Sequence, residues 1–548
     1  MRKRTLLVMR GRQKAQGDME SKLHPAMSQR RNRAAAPRCC AISRKRSCLL
    51  IVCAFALLAT TRDVYAQTGN GPVPPPSEIR IDAAAVMHTM AAGARAEWDA
   101  LGPTAYRYEG LVNRENRNSR GSAWGGNPPL EYKQAWLDLQ SHARWLGLDF
   151  IRVGIDMRMY EPERGRFDWH NDEMQTLYRI LDYCQENNVD VLLTQMWGDV
   201  EWNAFEGINR LQSAPKSVED FAHGLGVLME HLTKTRHYAC IRWLCIVNEP
   251  ARDWGWWLGV KGQPLSLMPA LHAVRAELDR RGIAVGLCAP DWTLGQNTPN
   301  FDFNDKVTAA FDVHNYAYFP NTRMEKLWAE TAHARGVPFF LSEFGDWAGS
   351  DPFTDRTTST PKSYLNQLVN AEKVIGGMNV GVDGFNRWSF TNRGDLDGQW
   401  QLVRTFDTNR WEYFQRVVPE SVPYFAYGIL TRFMAKHSAV LRTETGNPDL
   451  VAAAVLSPKG NLTVFVMNKT QANVDVKLVI TNAQPRWTLY RYQLTESAVS
   501  DPHFQLNPVG QFTVEAAGEV ATDTLPPMSI TAYSSYKLMN SDPGITSD

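Results

Sequence analysis

From about Ile79 to Ser438 the apolar positions repeat one unit, a short apolar run followed by an amphipathic stretch. The runs are Phe150–Val153, Val189–Trp197, Ile241–Val247, Ile283–Ala289, Phe311–Tyr318, Pro338–Ser342 and Val382–Trp388. They lack the in–out alternation of a half-exposed strand, as parallel strands covered on both faces do. Between them, helical spacing gathers Trp136, Leu139, Ala143 and Leu146 on one face. The same spacing groups Met174, Leu177, Tyr178, Leu181 and Cys184, and later Leu267, Leu271, Val274 and Leu278. Gly147, Gly282, Gly336 and Gly381 close several of these helices before the next strand. An eighth strand is expected near Val86–Met90 or near Tyr106–Val112. The pattern predicts an α/β fold, a (β/α)8 TIM barrel over residues 79–438. A doubly wound sheet would use similar units, but no Gly-rich phosphate turn follows an early strand.

After residue 438 the period changes. Val451–Leu456, Leu462–Met467, Val474–Ile480, Trp487–Tyr492, Val520–Leu525 and Ser529–Tyr536 are short β-rich runs separated by turn residues. They predict a small antiparallel β-sandwich over residues 439–548. The stretch Leu525–Tyr536 is too apolar for a free tail and should pack on the barrel.

Charge divides the chain. Residues 1–66 hold 15 Lys/Arg and 3 Asp/Glu, whereas the remainder holds 44 and 55, a net of −11. An acidic body argues against nucleic acid as a partner. Arg44-Lys45-Arg46, the apolar run Cys48–Thr60 and Val64-Tyr65-Ala66 resemble a secretory signal cut after Ala66, with Met27 an alternative start. The apolar run is short for a membrane span, though an uncleaved anchor is the rival reading. Residues 67–78, rich in Pro and Gly, form a linker. The expected product is a secreted or periplasmic protein, a monomer acting on carbohydrate without stable membrane insertion. Cys184, Cys240, Cys245 and Cys288 remain after the cut and form no CxxC pair, so neither a disulfide framework nor a zinc-cysteine site is expected.

Barrel chemistry sits at the C-terminal ends of strands. There Asn248-Glu249-Pro250 ends the fourth strand and Ser342-Glu343-Phe344 the seventh, 94 residues apart and across the mouth from one another. Two carboxyls facing one cavity suit glycosidic cleavage, one donating a proton and the other meeting an oxocarbenium-like carbon. A rim salt bridge would also explain either glutamate alone. No GxSxG, HExxH or P-loop pattern offers another chemistry, and no metal or cofactor is expected. The 18 Trp residues suggest flat surfaces for sugar stacking, among them Trp254, Trp256 and Trp257 in the loop after Glu249.

The Asn248-Glu249-Pro250 triplet with Glu343 resembles clan A of the glycoside hydrolases, retaining (β/α)8 enzymes such as the cellulase-like family 5 or a related family. The resemblance implies that Glu249 is the general acid/base, Glu343 the nucleophile, and Asn248 a ligand of the sugar 2-hydroxyl. It also implies that Arg152 steadies the nucleophile, that His314 and Tyr316 flank the reacting sugar, and that Trp388 lies beneath it. Gln195-Met196-Trp197-Gly198 departs from the histidine common in family 5, leaving Trp197 as the substrate-facing candidate of that strand. Asp199 and Glu201 beyond it are read as solvated. The expectation is a secreted retaining β-glycoside hydrolase acting on a β-linked carbohydrate. The alternatives are a non-catalytic carbohydrate-binding barrel and a transglycosylase with the same residues.

Overall fold

The computed structural model describes residues 75–101, 126–198, 200–250, 257–294, 297–317, 322–345, 362–391, 400–407, 410, 412–482, 487–514 and 520–547. The first strand, β1 (Ser77–Thr89), belongs to a second sheet. The parallel strands of the barrel are β2 (Ala94–Ala96), β3 (Phe150–Asp156), β4 (Asp190–Trp197), β5 (Ile241–Cys245), β6 (Gly286–Cys288), β8 (Thr308–Asn315), β9 (Phe339–Phe344) and β10 (Gly384–Arg387). A short strand, β7 (Trp292–Thr293), pairs beside β8. The order β2-β10-β9-β8-β6-β5-β4-β3 closes because the segment after β2 bonds both neighbours. Glu97 N donates to Arg387 O at 3.0 Å, and Trp98 N and Ala100 N donate to Arg152 O and Gly154 O at 2.9 and 3.0 Å.

The first barrel strand is therefore neither of the two expected segments. Val86 and His88 pair with Leu441 and Val440 in the second sheet, and Tyr106–Val112 lies outside the described residues. The actual strand escaped the apolar pattern because Arg95, Glu97 and Asp99 alternate along it, all buried. Each has a partner from β3 or the residue before it: Arg95 binds Asp149, Glu97 binds Arg152, and Asp99 accepts from Gly154 N.

Inside the barrel, Phe150, Leu192, Cys245, Cys288, Ala310 and Phe340 form an apolar layer. Arg152 stands two residues further along β3, above this layer and away from water. Beside it, β9 carries a bulge: Val313 pairs with Leu341 but His314 pairs with Glu343. Two successive residues of β9 then oppose one step of β8. Ser342 and Glu343 consequently both reach inward, to Asp291 and to Arg152. The helices bury the predicted faces, and Gly147, Gly282, Gly336 and Gly381 all have positive φ at the helix ends.

The second sheet has the order β18-β17-β20-β15-β14-β13-β1-β16-β19. Its further strands are β13 (Ala439–Thr445), β14 (Leu450–Leu456), β15 (Leu462–Asn468), β16 (Val474–Thr481), β17 (Trp487–Leu494), β18 (Gly510–Val514), β19 (Val520–Leu525) and β20 (Ser529–Ser534). A separate hairpin pairs β11 (Val403–Asp407) with β12 (Glu412–Pro419). All pairings in the second sheet are antiparallel except β1 with β16. Alternation works on two fronts. Ala452, Ala454, Val464, Val466 and Leu489 close the sandwich core with Ile79 and Leu478. Ala453, Val455, Phe465, Met467 and Leu494 join the barrel's outer core. Tyr364 fastens the joint by donating its hydroxyl to Leu494 O and Met528 O at 3.0 and 2.9 Å. No helix among the described residues is long and apolar enough to cross a membrane. The expected leader (1–66) and residues 67–74 of the expected linker lie outside the described residues, while its last two residues, Ser77 and Glu78, already belong to β1.

Candidate active site

Arg152 is the hub of the barrel mouth. Its Nη1 donates to both oxygens of Glu97 at 2.7 Å and to Glu343 Oε2 at 2.9 Å. Its Nη2 donates to Asn248 Oδ1 at 2.8 Å and to Asp291 Oδ2 at 3.0 Å. A planar guanidinium suits this task, since its fixed fork serves several acceptors at once. Glu249 follows β5 with φ 44°, and Asp291 follows β6 with φ 58°. Left-handed backbone is strained for a non-glycine residue and collects at functional sites. Here it goes with a bond from Glu249 N to Asp291 Oδ2 at 3.3 Å.

His314 bridges the two sides. Its Nδ1 lies 2.8 Å from Glu249 Oε1 and 3.7 Å from Glu343 Oε2, and its Nε2 lies 3.1 Å from Asp291 Oδ1. Tyr316 donates its hydroxyl to Glu343 Oε1. One carboxylate oxygen of Glu249, one of Glu343 and a His314 nitrogen all lie within 4.8 Å of one another.

Burial and charge set the protonation. Burial alone would discharge His314, but Asp291 and Glu343 carry it well above the usual imidazole range. As an imidazolium it donates from both nitrogens, which matches its carboxylate partners. Burial also opposes charge on Asp291, yet Arg152 and His314 outweigh it and hold Asp291 well below the usual range. Burial pushes Glu97 well up and Asp99 to about 6, so this neighbouring pair favours holding a proton. Burial, reinforced by Glu97 and Glu249, lifts Glu343 to about 8 against the pull of His314 and Arg152. Glu343 thus binds its proton more tightly than an ordinary carboxyl even with Arg152 and Tyr316 donating to it. Burial and the adjacent Glu343 keep Tyr316 protonated and able to donate.

The other expected residues divide. Asn248 is in the cluster through Arg152. Trp197, at the end of β4, is buried and lines a pocket beside the site with Met157, Phe221, Val247 and Trp257. Trp388 is buried just past β10, its backbone N–H donating to Phe344 O at 2.9 Å, next to Glu343. Trp256 and Trp254 lie outside the described residues. Trp257 is buried, packs edge-on to Phe221 at 5.7 Å and lines the same pocket as Trp197. Asp199 is outside the described residues, and Glu201 is exposed beside Arg210. Four residues of the cluster were not foreseen: Glu97, Asp99, Asp291 and Trp400. Asp291 was detectable, since it follows the apolar run Ile283–Ala289 as Glu249 follows its own. Trp400 packs edge-on to Tyr316 at 5.5 Å and carries no sequence signal of that contact.

No protein-family model matches the chain, and no curated protein matches its sequence. Solved structures do match its shape. The catalytic domain of GH30 xylanase C from Talaromyces cellulolyticus is 12% identical, with 83% of this chain and 99% of that chain covered and a TM-score of 0.55. A conserved exported protein from Bacteroides fragilis is 12% identical over 83% and 99%, with a TM-score of 0.59. An endo-beta1,6-glucanase is 13% identical over 85% and 95%, with a TM-score of 0.55. These likenesses establish the fold.

Proposed function

We propose that the chain is a retaining β-glycoside hydrolase, exported, and acting on a β-linked oligo- or polysaccharide without a cofactor. The observation that carries this reading is the convergence of Glu249 and Glu343, with carboxylate oxygens within 4.8 Å across the barrel mouth. Retaining enzymes hold their carboxyls about 5–5.5 Å apart, whereas inverting ones leave room for water at about 6.5–9.5 Å. Glu343, with Arg152 and Tyr316 on its two oxygens, is the nucleophile. Glu249, with His314 beside it, is the general acid/base.

In the first step protonated Glu249 gives its proton to the leaving oxygen while ionised Glu343 attacks the anomeric carbon. In the second, Glu249 takes a proton from water, which displaces Glu343 and restores the configuration. The reactive form therefore places one proton on Glu249 and the charge on Glu343. Arg152 and Tyr316, one on each carboxylate oxygen of Glu343, are the donors that hold that charge during attack. Asn248, its Oδ1 engaged by Arg152, presents its amide NH2 to the sugar 2-hydroxyl. Trp388 and Trp197 are proposed as sugar contacts, with Trp256 from the loop after β5.

The likeness in fold to GH30 xylanases and to an endo-beta1,6-glucanase supports clan A and turns the substrate search toward xylans and β-1,6-glucans rather than cellulose alone. The test is hydrolysis of a panel of xylans, β-1,6-glucans, mannans and aryl β-glycosides, with the first-formed anomer followed by NMR. Retained configuration supports the reading, and an inverted product sinks it.

A further inference from the structure

Behind the wall of the barrel, a lysine ends inside the protein. Lys373, in the helix Tyr364–Val380, is fully buried. Its Nζ donates to Asn315 O at 3.2 Å and to Gly345 O. These carbonyls lie at the ends of β8 and β9, where the ladder between the two strands stops at the pairing of Asn315 with Phe344. Asn315 and Gly345 are both buried, and a buried carbonyl needs a donor. Taking an ammonium out of water is costly unless its hydrogens find acceptors. A hydroxyl would serve one carbonyl, whereas the three hydrogens of an ammonium serve both strands at once.

The two carbonyls stand beside the residues that do the chemistry. Tyr316 directly follows Asn315, and Gly345 comes two residues after Glu343. Gly345 N closes the same corner by donating to Asn315 O at 3.4 Å. Gly345 also lies against the Tyr316 ring, since a Cβ there would stand 2.9 Å from it. The Asn315 side chain is clamped as well. Its Nδ2 donates to Glu325 Oε1 at 2.7 Å, and its Oδ1 accepts from Ala317 N at 3.1 Å. Tyr316 is thus carried between two anchored neighbours, and its hydroxyl meets Glu343 Oε1 from a fixed backbone.

We infer that Lys373, on the reading of Glu343 as the nucleophile, is a positioning residue: by tying the ends of β8 and β9 together it sets the hydrogen bond from Tyr316 to Glu343. The lysine touches neither substrate nor reacting atoms, and its effect reaches the chemistry only through Tyr316.

The test is Lys373→Met, which keeps the length of the side chain and loses its donors, beside Lys373→Gln, which keeps one donor group. In crystals of Lys373→Met the Tyr316 hydroxyl should stand more than about 3.5 Å from Glu343, beyond hydrogen-bond reach. On the aryl β-glycoside that the parent hydrolyses best, kcat should fall about tenfold with KM within about threefold. Lys373→Gln should fall between the parent and Lys373→Met. Adding Lys373→Met to Tyr316→Phe should lower kcat by no more than about twofold further, because the bond that Lys373 sets is already gone. An unmoved Tyr316 overturns the inference. So does a lowered melting temperature with unchanged kcat, or losses that multiply in the double variant. If Lys373→Met does not fold, Lys373→Gln is read on the same measurements, and an unmoved Tyr316 there overturns the inference equally. A parent chain that cleaves no glycoside would refute the reading of Glu343 instead, while the separation of Tyr316 from Glu343 in the crystals would still decide what Lys373 positions.

Discussion

Arg152 Nη1 and Glu343 Oε2 meet at 2.9 Å, with Arg152 fully buried and Glu343 nearly so. The same guanidinium also holds Glu97 and Asp291. Removing a buried cation strands its partners' charges, at a cost of roughly 3–5 kcal/mol. Arg152→Met should lose that much in denaturant unfolding, and a loss below about 1 kcal/mol would show that the cluster is not held by this charge.

Burial lifts Glu343 from its ordinary 4.5 to about 8. If Glu343 must be ionised to attack, kcat/KM should climb with pH toward that value and not plateau in the usual carboxylate range. The same shift has a stability consequence. Between 4.5 and about 8 the folded chain keeps a proton that the unfolded chain releases. Stability from this group is therefore present at low pH and lost as pH rises through that window. Glu343→Gln should melt higher than the parent at alkaline pH, with the gap closing in acid. Parallel melting curves across this range would contradict the assignment.

Tyr316 donates to the oxygen of Glu343 that Arg152 leaves to it. A hydrogen bond to a charged group is worth about 1.5–3 kcal/mol. Tyr316→Phe should lower kcat by roughly tenfold to a hundredfold with a smaller change in KM. It should also move the acid limb of kcat/KM to higher pH, because the charged form of Glu343 loses a donor. An unshifted limb would mean that the hydroxyl does not serve Glu343.

Gly345 allows two rings to close around the site. A Cβ there would stand 2.8 Å from a Trp400 ring atom and 2.9 Å from one of Tyr316. Gly345→Ala should cost about 1–3 kcal/mol by overpacking. It should also lower kcat by displacing Tyr316 from Glu343. Full activity would show that Trp400 yields without moving Tyr316, as kinetics and thermal melts of the variant would reveal.

Seven barrel strands were legible because strands buried on both faces are written in unbroken apolar residues, such as Val191-Leu192-Leu193. Glu249 and Glu343 stood out for the opposite reason, as charges ending such runs. The first strand was hidden because Arg95, Glu97 and Asp99 are buried in it, each matched by a partner far along the chain. Pattern reading assigns charged residues to water, and only the folded contacts show their neutralisation. The place of β1 was hidden too, since its partners β13 and β16 lie more than 300 residues away. Likewise, the packing of Trp257 against Phe221, beside the pocket it shares with Trp197, carries no signal in the sequence.

The most direct test of the central claim is the residue that becomes glycosylated during turnover. The chain would be incubated with activated 2-deoxy-2-fluoro-β-glucosides and the corresponding 2-deoxy-2-fluoro-β-xylosides, then digested and mapped by mass spectrometry. Fluorine slows both steps, and the activated leaving group lets the first outrun the second. A single covalent sugar is expected on Glu343, absent from Glu343→Gln. A sugar on Glu249 or on another carboxylate would contradict it.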